Sequence, residues 1–156
     1  MLTLSTSRAD GEGEDVSGAK LAELARQLGA EEVEREVLAD DRDLIESRLR
    51  YWVDERGCEL VLTTGGTGLA PADVTPEATA AVIERPAPGI AEAIRRASQP
   101  HTEFWMLSRG VAGTRGSSLI VNFPGSPASV EQTAPGIARV LPHALALLRD
   151  EGAGHR

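Results

Sequence analysis

The spacing of apolar residues predicts a strand and then a helix at the start of the chain. Residues 2–6 form a short apolar and β-branched run typical of a strand, and the polar residues 7–15 predict a loop. The next segment has apolar residues at the i, i+3, i+4, i+7 spacing of an amphipathic helix: Leu21, Leu24, Ala25 and Leu28. Ser17 is the expected N-cap of this helix and Gly29 its expected end.

A second strand and a second helix follow. Residues 32–38 place valines between charged residues, which predicts a half-exposed strand near a sheet edge. After Asp40 and Asp41, a new helical pattern runs to Gly57. Its apolar face consists of Ile45, Leu49, Trp52 and Val53.

The centre of the chain has the order strand, glycine loop, helix. Residues 59–64 predict a strand that ends in the loop 65–68, Gly-Gly-Thr-Gly. Thr75 and Pro76 have the chemistry of an N-cap and a first helical residue, so a helix is expected to begin there.

The last third continues the alternation. A helix is predicted around residues 91–97, a strand at 104–107, and a buried strand at 119–121. Ser126 followed by Pro127 is a further expected helix start, and the apolar tail 136–148 predicts helix interrupted at Pro142.

Alternating strands and helices predict an α/β sandwich with a mostly parallel sheet covered on both faces. The length suits one domain, assigned to residues 1–150, with 151–156 as a short tail. In such sheets ligands bind beyond the carboxyl ends of the strands. This rule selects the loop after the first strand, the glycine loop, and the loop at 122–126.

Composition narrows the classes of function. Hydrophobic residues make up 41% and charged residues 26%, as in globular proteins, while aromatic residues make up 3%, too few for extensive base stacking. A net charge of −8 disfavours binding to nucleic acid or to an anionic membrane surface. One cysteine, Cys58, excludes an intrachain disulfide and favours the cytoplasm, and it is expected in the core. There is no apolar stretch of membrane-spanning length and no signal-peptide pattern.

The glycine loop could bring backbone amides close to an anion, because glycine has no Cβ and accepts positive φ. A tight packing turn is the alternative. The P-loop and dinucleotide fingerprints are both absent. Asp73 after this loop, and Asp40 and Asp41 after the second strand, are candidate Mg²⁺ ligands or, alternatively, helix caps. If both clusters converge on one cleft, phosphoryl or nucleotidyl transfer becomes plausible.

Other residues are candidates for binding an anion. Asn122, the Pro124–Gly125 turn and Ser126 could offer donors to a phosphate, or serve as a turn and a helix cap. The segment 15–18, with Asp15, Ser17 and Gly18 at the start of the first predicted helix, either caps that helix or binds an anion. Ser108 and Arg109 could place a guanidinium against phosphate or form a surface ion pair. His101 and His143 are assigned structural or surface roles.

Residues 62–79, LTTGGTGLAPADVTPEAT, resemble the signature of the MogA/MoaB family of molybdenum-cofactor biosynthesis proteins. The resemblance continues at 88–93, at 106–113 and at 121–127, and it covers essentially the whole chain. It implies a three-layer αβα sandwich, the molybdopterin-binding domain fold. It further implies binding of molybdopterin, a pterin dithiolene with a terminal phosphate, and oligomerisation as trimers or hexamers.

Members with MogA-type activity transfer AMP from Mg²⁺-ATP to that phosphate, before a MoeA-type protein inserts molybdate. The resemblance implies that Asp40 and Asp73 are catalytic and position the metal. The implied lining of the phosphate pocket comprises Ser17, Gly18, Thr64, Gly65, Gly66, Thr67, Gly68, Ser108, Arg109, Asn122, Pro124, Gly125 and Ser126. A MoaB-type protein that binds molybdopterin without catalysis is the alternative.

Two features depart from the family pattern. Many relatives have an aspartate before the arginine of the first loop, where this chain has Ser7 before Arg8, so no role is carried over to that position. Met1 also falls late in the first strand. Neither departure affects Asp40 or Asp73.

Overall fold

The computed structural model describes residues 1–11, 13–31 and 33–149. The helices are Thr6–Ala9 (α1), Val16–Gln27 (α2), Arg42–Arg50 (α3), Thr75–Val82 (α4), Pro88–Ser98 (α5), Pro127–Ala138 (α6) and Leu141–Leu148 (α7). A π-helical turn, Tyr51–Glu55, continues α3, and Glu103–Leu107 is a 3₁₀ helix. The strands are Leu2–Leu4 (β1), Glu36–Leu38 (β2), Leu60–Thr64 (β3), Arg85–Pro86 (β4), Ala112–Arg115 (β5) and Ser118–Phe123 (β6).

The strands form one mixed sheet in the order β2-β1-β3-β6-β5-β4. The strands β2, β1, β3 and β6 pair with one another in parallel, whereas β5 pairs antiparallel with β6 and β4 pairs antiparallel with β5. The predicted parallel arrangement therefore holds for β2, β1, β3 and β6. The carboxyl ends of β1, β3 and β6 consequently lie at one edge of the sheet, as the ligand-site argument requires.

Helices cover both faces of the sheet, which confirms the predicted α/β sandwich. Alternate residues of each central strand point to opposite faces. Val61 and Ile120 pack with the core residues of α3 and α4, whereas Leu62 and Val121 pack with those of α2, α5, α6 and α7. Among the described residues, none of the helices is long and apolar enough to cross a membrane.

One predicted strand is wrong. Residues 104–107 form the 3₁₀ helix, with Phe104 65% exposed and Met106 64% exposed. A run of four apolar residues does not by itself distinguish a buried strand from a short helix on the surface. The segment has no strand partner, and the Thr102 hydroxyl caps it by accepting a hydrogen bond from Phe104 N at 3.2 Å.

The boundaries of several other elements differ from the prediction. The first strand ends at Leu4, and α1 occupies the start of the predicted loop. The second strand is shorter than 32–38 but lies at the sheet edge as predicted, and residue 32 is outside the described residues. Pro142 is in the first turn of α7, so the break in the C-terminal helical region precedes it. Residue 150 and the predicted tail 151–156 are outside the described residues.

The expected positions of Cys58 and the two histidines are largely confirmed. Cys58 is half-buried and packs against the core on the α3 side of the sheet. His101 and His143 are exposed.

Candidate functional site

The three loops selected from the sequence meet at the carboxyl ends of the strands. Gly65 N donates a hydrogen bond to Phe123 O at 3.2 Å, joining the glycine loop to the end of β6. Gly65 has φ +101°, and a Cβ there would overlap the carbonyl of Leu4 at the end of β1. A Cβ on Gly125 would lie 3.1 Å from Gly65 Cα. Glycine is therefore required for the close approach of these backbones.

Side-chain hydroxyls hold the loops against each other. Ser17 Oγ donates to Gly125 O at 2.7 Å, and Thr64 Oγ1 donates to Pro124 O at 2.6 Å. Thr75 Oγ1 donates to Gly65 O at 2.9 Å. The prediction that Thr75 is the N-cap of α4 is therefore wrong. Ser17 and Thr64 thus shape the site through backbone carbonyls, since their hydroxyl protons are already donated within the protein.

Asp40 is not a helix cap. Its neighbour Asp41 caps α3 by accepting from Leu44 N at 2.8 Å. Asp40 is half-buried after β2, and its Oδ1 lies 3.3 Å from the position of a Cβ on Gly66. The Asp40 carboxylate therefore faces the first part of the glycine loop.

Asp73 faces the other end of the same loop. Its Oδ2 accepts a hydrogen bond from Ala70 N at 2.8 Å and lies 2.8 Å from the position of a Cβ on Gly68. Asp73 N also donates to Ala70 O at 2.9 Å, which closes a turn. The structure thus brings both predicted carboxylates to the glycine loop, one beside Gly66 and one beside Gly68.

Arg109 binds the glycine loop and the segment after it. Its Nε donates to Gly68 O at 2.7 Å and its Nη2 to Asp73 O at 2.6 Å, while Nη1 pairs with Glu77 Oε1. The backbone N–H of Arg109 donates to Thr67 O at 2.8 Å. Hydrogen bonding to Arg109 lowers the pKa of Glu77 below its usual range, against the opposing effect of burial. Each of the three guanidinium nitrogens therefore has a partner within the protein.

Asn122 is an internal residue of β6 and only 2% exposed. Its Nδ2 donates to Thr63 Oγ1 and to Thr79 Oγ1, both at 2.9 Å. Its Oδ1 accepts from Val111 N at 3.1 Å. These hydrogen bonds give Asn122 a role in joining β3, β6 and α4 beneath the site.

Four of the predicted residues are half-buried or exposed. Ser126 is exposed and caps α6 by accepting from Ser129 N at 3.0 Å, as predicted. Pro124 and Gly125 are half-buried between Ser17 and the glycine loop. Ser108 is half-buried and follows the 3₁₀ helix, not a strand.

Asp15 caps the second helix, which is one of the two interpretations that the sequence offers for residues 15–18. The expected N-cap, Ser17, does not cap α2; the Asp15 carboxylate does, by accepting a hydrogen bond from Gly18 N at 2.9 Å. This carboxylate also accepts hydrogen bonds from Thr3 Oγ1 at 2.9 Å and from Arg35 Nη2 at 2.7 Å. Burial alone would raise the pKa of Asp15, but these hydrogen bonds outweigh it and lower the pKa. The cap therefore lies two residues before Ser17, and aspartate is also a favoured N-cap.

The arrangement suits a phosphorylated ligand with a hard cation. Oxygen ligands of carboxylates and phosphates are those that Mg²⁺ prefers, and it commonly uses one or two protein carboxylates together with substrate phosphates. Among residues 1–11, 13–31 and 33–149, no three His, Cys, Asp or Glu side chains group as a metal site. Two carboxylates flanking a glycine loop fit that minimal requirement.

Comparisons with known proteins agree with this architecture. The family model described as a probable molybdopterin binding domain matches residues 1–143. The chain is 39% identical over 150 residues to molybdopterin adenylyltransferase of Helicobacter pylori, covering 95% of this chain and 85% of that protein. It is 38% identical over 152 residues to the molybdenum cofactor synthesis protein cinnamon of Drosophila melanogaster, covering 97% of this chain but 25% of that protein.

A solved structure shows the same fold at high similarity. The molybdopterin biosynthesis enzyme MoaB of Thermus thermophilus superposes with a TM-score of 0.87 at 42% identity, over 96% of this chain and 94% of the other.

Proposed function

Because the chain belongs to the family of probable molybdopterin binding domains, we propose that it binds molybdopterin and transfers AMP to it from ATP, with Mg²⁺. In this reaction an oxygen of the terminal phosphate of molybdopterin attacks the α-phosphorus of ATP. The bond between the α-phosphorus and the bridging oxygen breaks, and pyrophosphate leaves. The products are adenylylated molybdopterin and pyrophosphate. The observation that carries the proposal is the placement of Asp40 and Asp73 on either side of the glycine loop.

Asp40 and Asp73 are the residues proposed to hold Mg²⁺. Bound between carboxylates and phosphates, the ion would reduce repulsion between the two polyanionic substrates and stabilise charge on the leaving pyrophosphate. The carboxylate of Asp73 is oriented by its hydrogen bond from Ala70 N, and Asp41 caps α3 beside Asp40. The protein thereby fixes the position of charges in advance of the reaction.

The glycine loop and the α6 N-terminus are proposed to hold the phosphates. Backbone N–H groups at a helix N-terminus favour anions, and Gly65 and Gly66 have positive φ, at +101° and +62°. Ser17 and Thr64 contribute by holding the 124–125 turn close to that loop. We assign to Arg109 and Asn122 a role in positioning, because their polar atoms bond within the protein.

The first test supplies purified protein with molybdopterin, ATP and Mg²⁺, and follows adenylylated molybdopterin by mass together with pyrophosphate. Asp73→Asn is expected to lower the rate on the order of 100-fold, because it removes a charge needed in the transition state. Asp41→Asn is the matched control. It changes a neighbouring acidic residue that caps α3, and asparagine caps helices equally well, so wild-type activity is expected.

A MoaB-type protein that binds molybdopterin without catalysis is the second candidate. It predicts tight molybdopterin binding by the wild-type chain and no AMP transfer. If wild type forms product and Asp73→Asn forms it at the same rate, the protein transfers AMP but Asp73 has no catalytic role.

We also propose that the protein is a homo-oligomer, a trimer or a hexamer. The 3₁₀ helix exposes three large apolar side chains, those of Phe104, Met106 and Leu107, and Leu69 is exposed as well. Exposed apolar patches mark interaction surfaces, so these side chains support self-association. Light scattering measures the assembly, and a monomer at micromolar concentration would contradict this proposal.

Transfer of the product to a MoeA-type protein and a cytoplasmic location are also parts of the proposed function.

A further inference from the structure

Arg109 is placed to control the shape of the segment that carries Asp73. Residues 65–74 lie between β3 and α4 and contain no strand or helix, so their path depends on individual hydrogen bonds. Thr75 N donates to Gly66 O at 3.1 Å and Thr75 Oγ1 to Gly65 O at 2.9 Å, while Asp73 and Ala70 close one turn. Arg109 adds hydrogen bonds to the carbonyls of Thr67, Gly68 and Asp73.

The guanidinium links a residue that precedes this turn, Gly68, to the last residue of the turn, Asp73. Nε binds the carbonyl of Gly68 and Nη2 binds the carbonyl of Asp73 itself, at 2.7 and 2.6 Å. The planar guanidinium has its N–H donors in a fixed arrangement, so binding two carbonyls at once fixes their separation. Holding the Asp73 carbonyl fixes the backbone from which the Asp73 carboxylate projects.

Glu77 in turn orients the guanidinium. It lies in the first turn of α4 and pairs through Oε1 with Nη1 of Arg109. A glutamate is ionised at neutral pH, and hydrogen bonding to Arg109 lowers the pKa of Glu77 further, so the ion pair is present at neutral pH. Helix α4 thus holds Glu77, Glu77 holds the guanidinium of Arg109, and Arg109 holds the backbone carbonyl of Asp73.

We propose that Arg109 and Glu77 are a positioning pair that sets the Asp73 carboxylate, and that Arg109 is not a phosphate ligand. Its catalytic consequence rests on the proposed function. A phosphate ligand would have to exchange at least one of the bonds to Gly68, Asp73 or Glu77 for the substrate. The two roles predict opposite effects for Glu77: as an anchor it supports activity, whereas beside a phosphate-binding arginine it competes with the substrate.

The experiment compares Glu77→Gln, Arg109→Gln and the double variant with wild type. Each single variant is expected to lower kcat about 10- to 100-fold, because small displacements of a reacting group have effects of this size. Each should also raise the Mg²⁺ concentration needed for half-maximal rate, with the Kd of molybdopterin changed less than about twofold. The double variant should resemble the single variants, since both changes remove one linked interaction.

Arg109→Lys separates geometry from charge. Lysine keeps the positive charge but presents it as a point donor without the planar arrangement, so it is expected to restore little of kcat. Asp54→Asn is the matched control. It breaks another arginine–carboxylate pair, with Arg115, whose hydrogen bonds lie near the start of β6 and away from the glycine loop. Wild-type kcat and Mg²⁺ dependence are expected for it.

Hydrogen exchange provides a readout that does not require turnover. The Ala70 amide, bonded to Asp73 Oδ2, is expected to exchange faster in Glu77→Gln and Arg109→Gln than in wild type or Asp54→Asn. Unchanged Ala70 exchange in both site variants would overturn the proposal even if the protein catalyses no AMP transfer. The proposal would also be overturned if Glu77→Gln had wild-type kcat and Arg109→Gln bound molybdopterin more weakly than wild type. Absence of product from wild type, with the exchange effect present, would reject the catalytic function but keep the positioning role.

Discussion

Replacing Asn122 by alanine tests whether this residue supports the site from beneath or binds the ligand directly. The change removes hydrogen bonds to Thr63, to Thr79 and to the backbone N–H of Val111. A neutral hydrogen bond contributes about 1 kcal/mol net, so the loss is about 3 kcal/mol before any cavity effect. For a chain of 156 residues, 1 kcal/mol corresponds to about 3 °C in Tm, so we expect a decrease of about 10 °C.

Thermal unfolding followed by circular dichroism, at one fixed protein concentration, measures this effect. Ser126→Ala, in the loop that follows β6, is the matched control, because it removes an exposed helix cap worth about 1 kcal/mol and should lower Tm by about 3 °C. Thr63→Val combined with Asn122→Ala should cost less than the sum of the two changes, since they share one hydrogen bond. If Asn122→Ala left Tm within about 2 °C of wild type but abolished molybdopterin binding, the inferred structural role would be refuted.

Two further predictions concern the loops around the site. Gly65→Ala places a Cβ against the Leu4 carbonyl at a positive φ. It should lower the free energy of unfolding by well over the ~1 kcal/mol expected for Gly57→Ala, where φ is also positive but the space is open. Urea unfolding compares the two variants, and equal losses of stability would contradict the close-approach argument. Because the folded-state pKa of Asp15 is lowered, its ionised form stabilises the protein above the usual carboxyl pKa and this contribution disappears as pH falls through the folded value. Asp15→Asn should therefore reduce the urea midpoint at pH 7, and the difference from wild type should shrink towards pH 3; a difference that grows on acidification would reverse the sign of the argument.

The central elements could be predicted from the sequence because local patterns determine them. The run at 119–121 and the glycine loop after residue 64 identify β6 and β3, and buried parallel strands have continuous apolar sequences. The family resemblance located Asp40 and Asp73, and the structure places both beside the loop expected. The run at 104–107 was assigned wrongly because four apolar residues are compatible with several conformations.

The internal connections of the site could not be predicted in the same way. The side-chain partners of Arg109, namely Gly68, Asp73 and Glu77, lie 41, 36 and 32 residues away along the chain. Whether an arginine faces a ligand or a backbone carbonyl depends on such distant contacts, which local periodicity does not encode. Similarly, two adjacent aspartates after β2 were equivalent in sequence, and only the structure assigns the cap to Asp41.

The electrostatics of the site follow from how its arginines are used. The chain has a net charge of −8, yet the proposed substrates are polyanions. Three arginines near the converging loops form ion pairs within the protein: Arg35 with Asp15, Arg42 with Glu46, and Arg109 with Glu77. Their charges are largely balanced before any ligand arrives. These three arginines therefore add little attraction for phosphate, which oriented backbone N–H groups can supply. Under the proposed function, Asp40 and Asp73 would promote binding of an anion by recruiting the cation, and Arg109 would maintain the geometry of the loop.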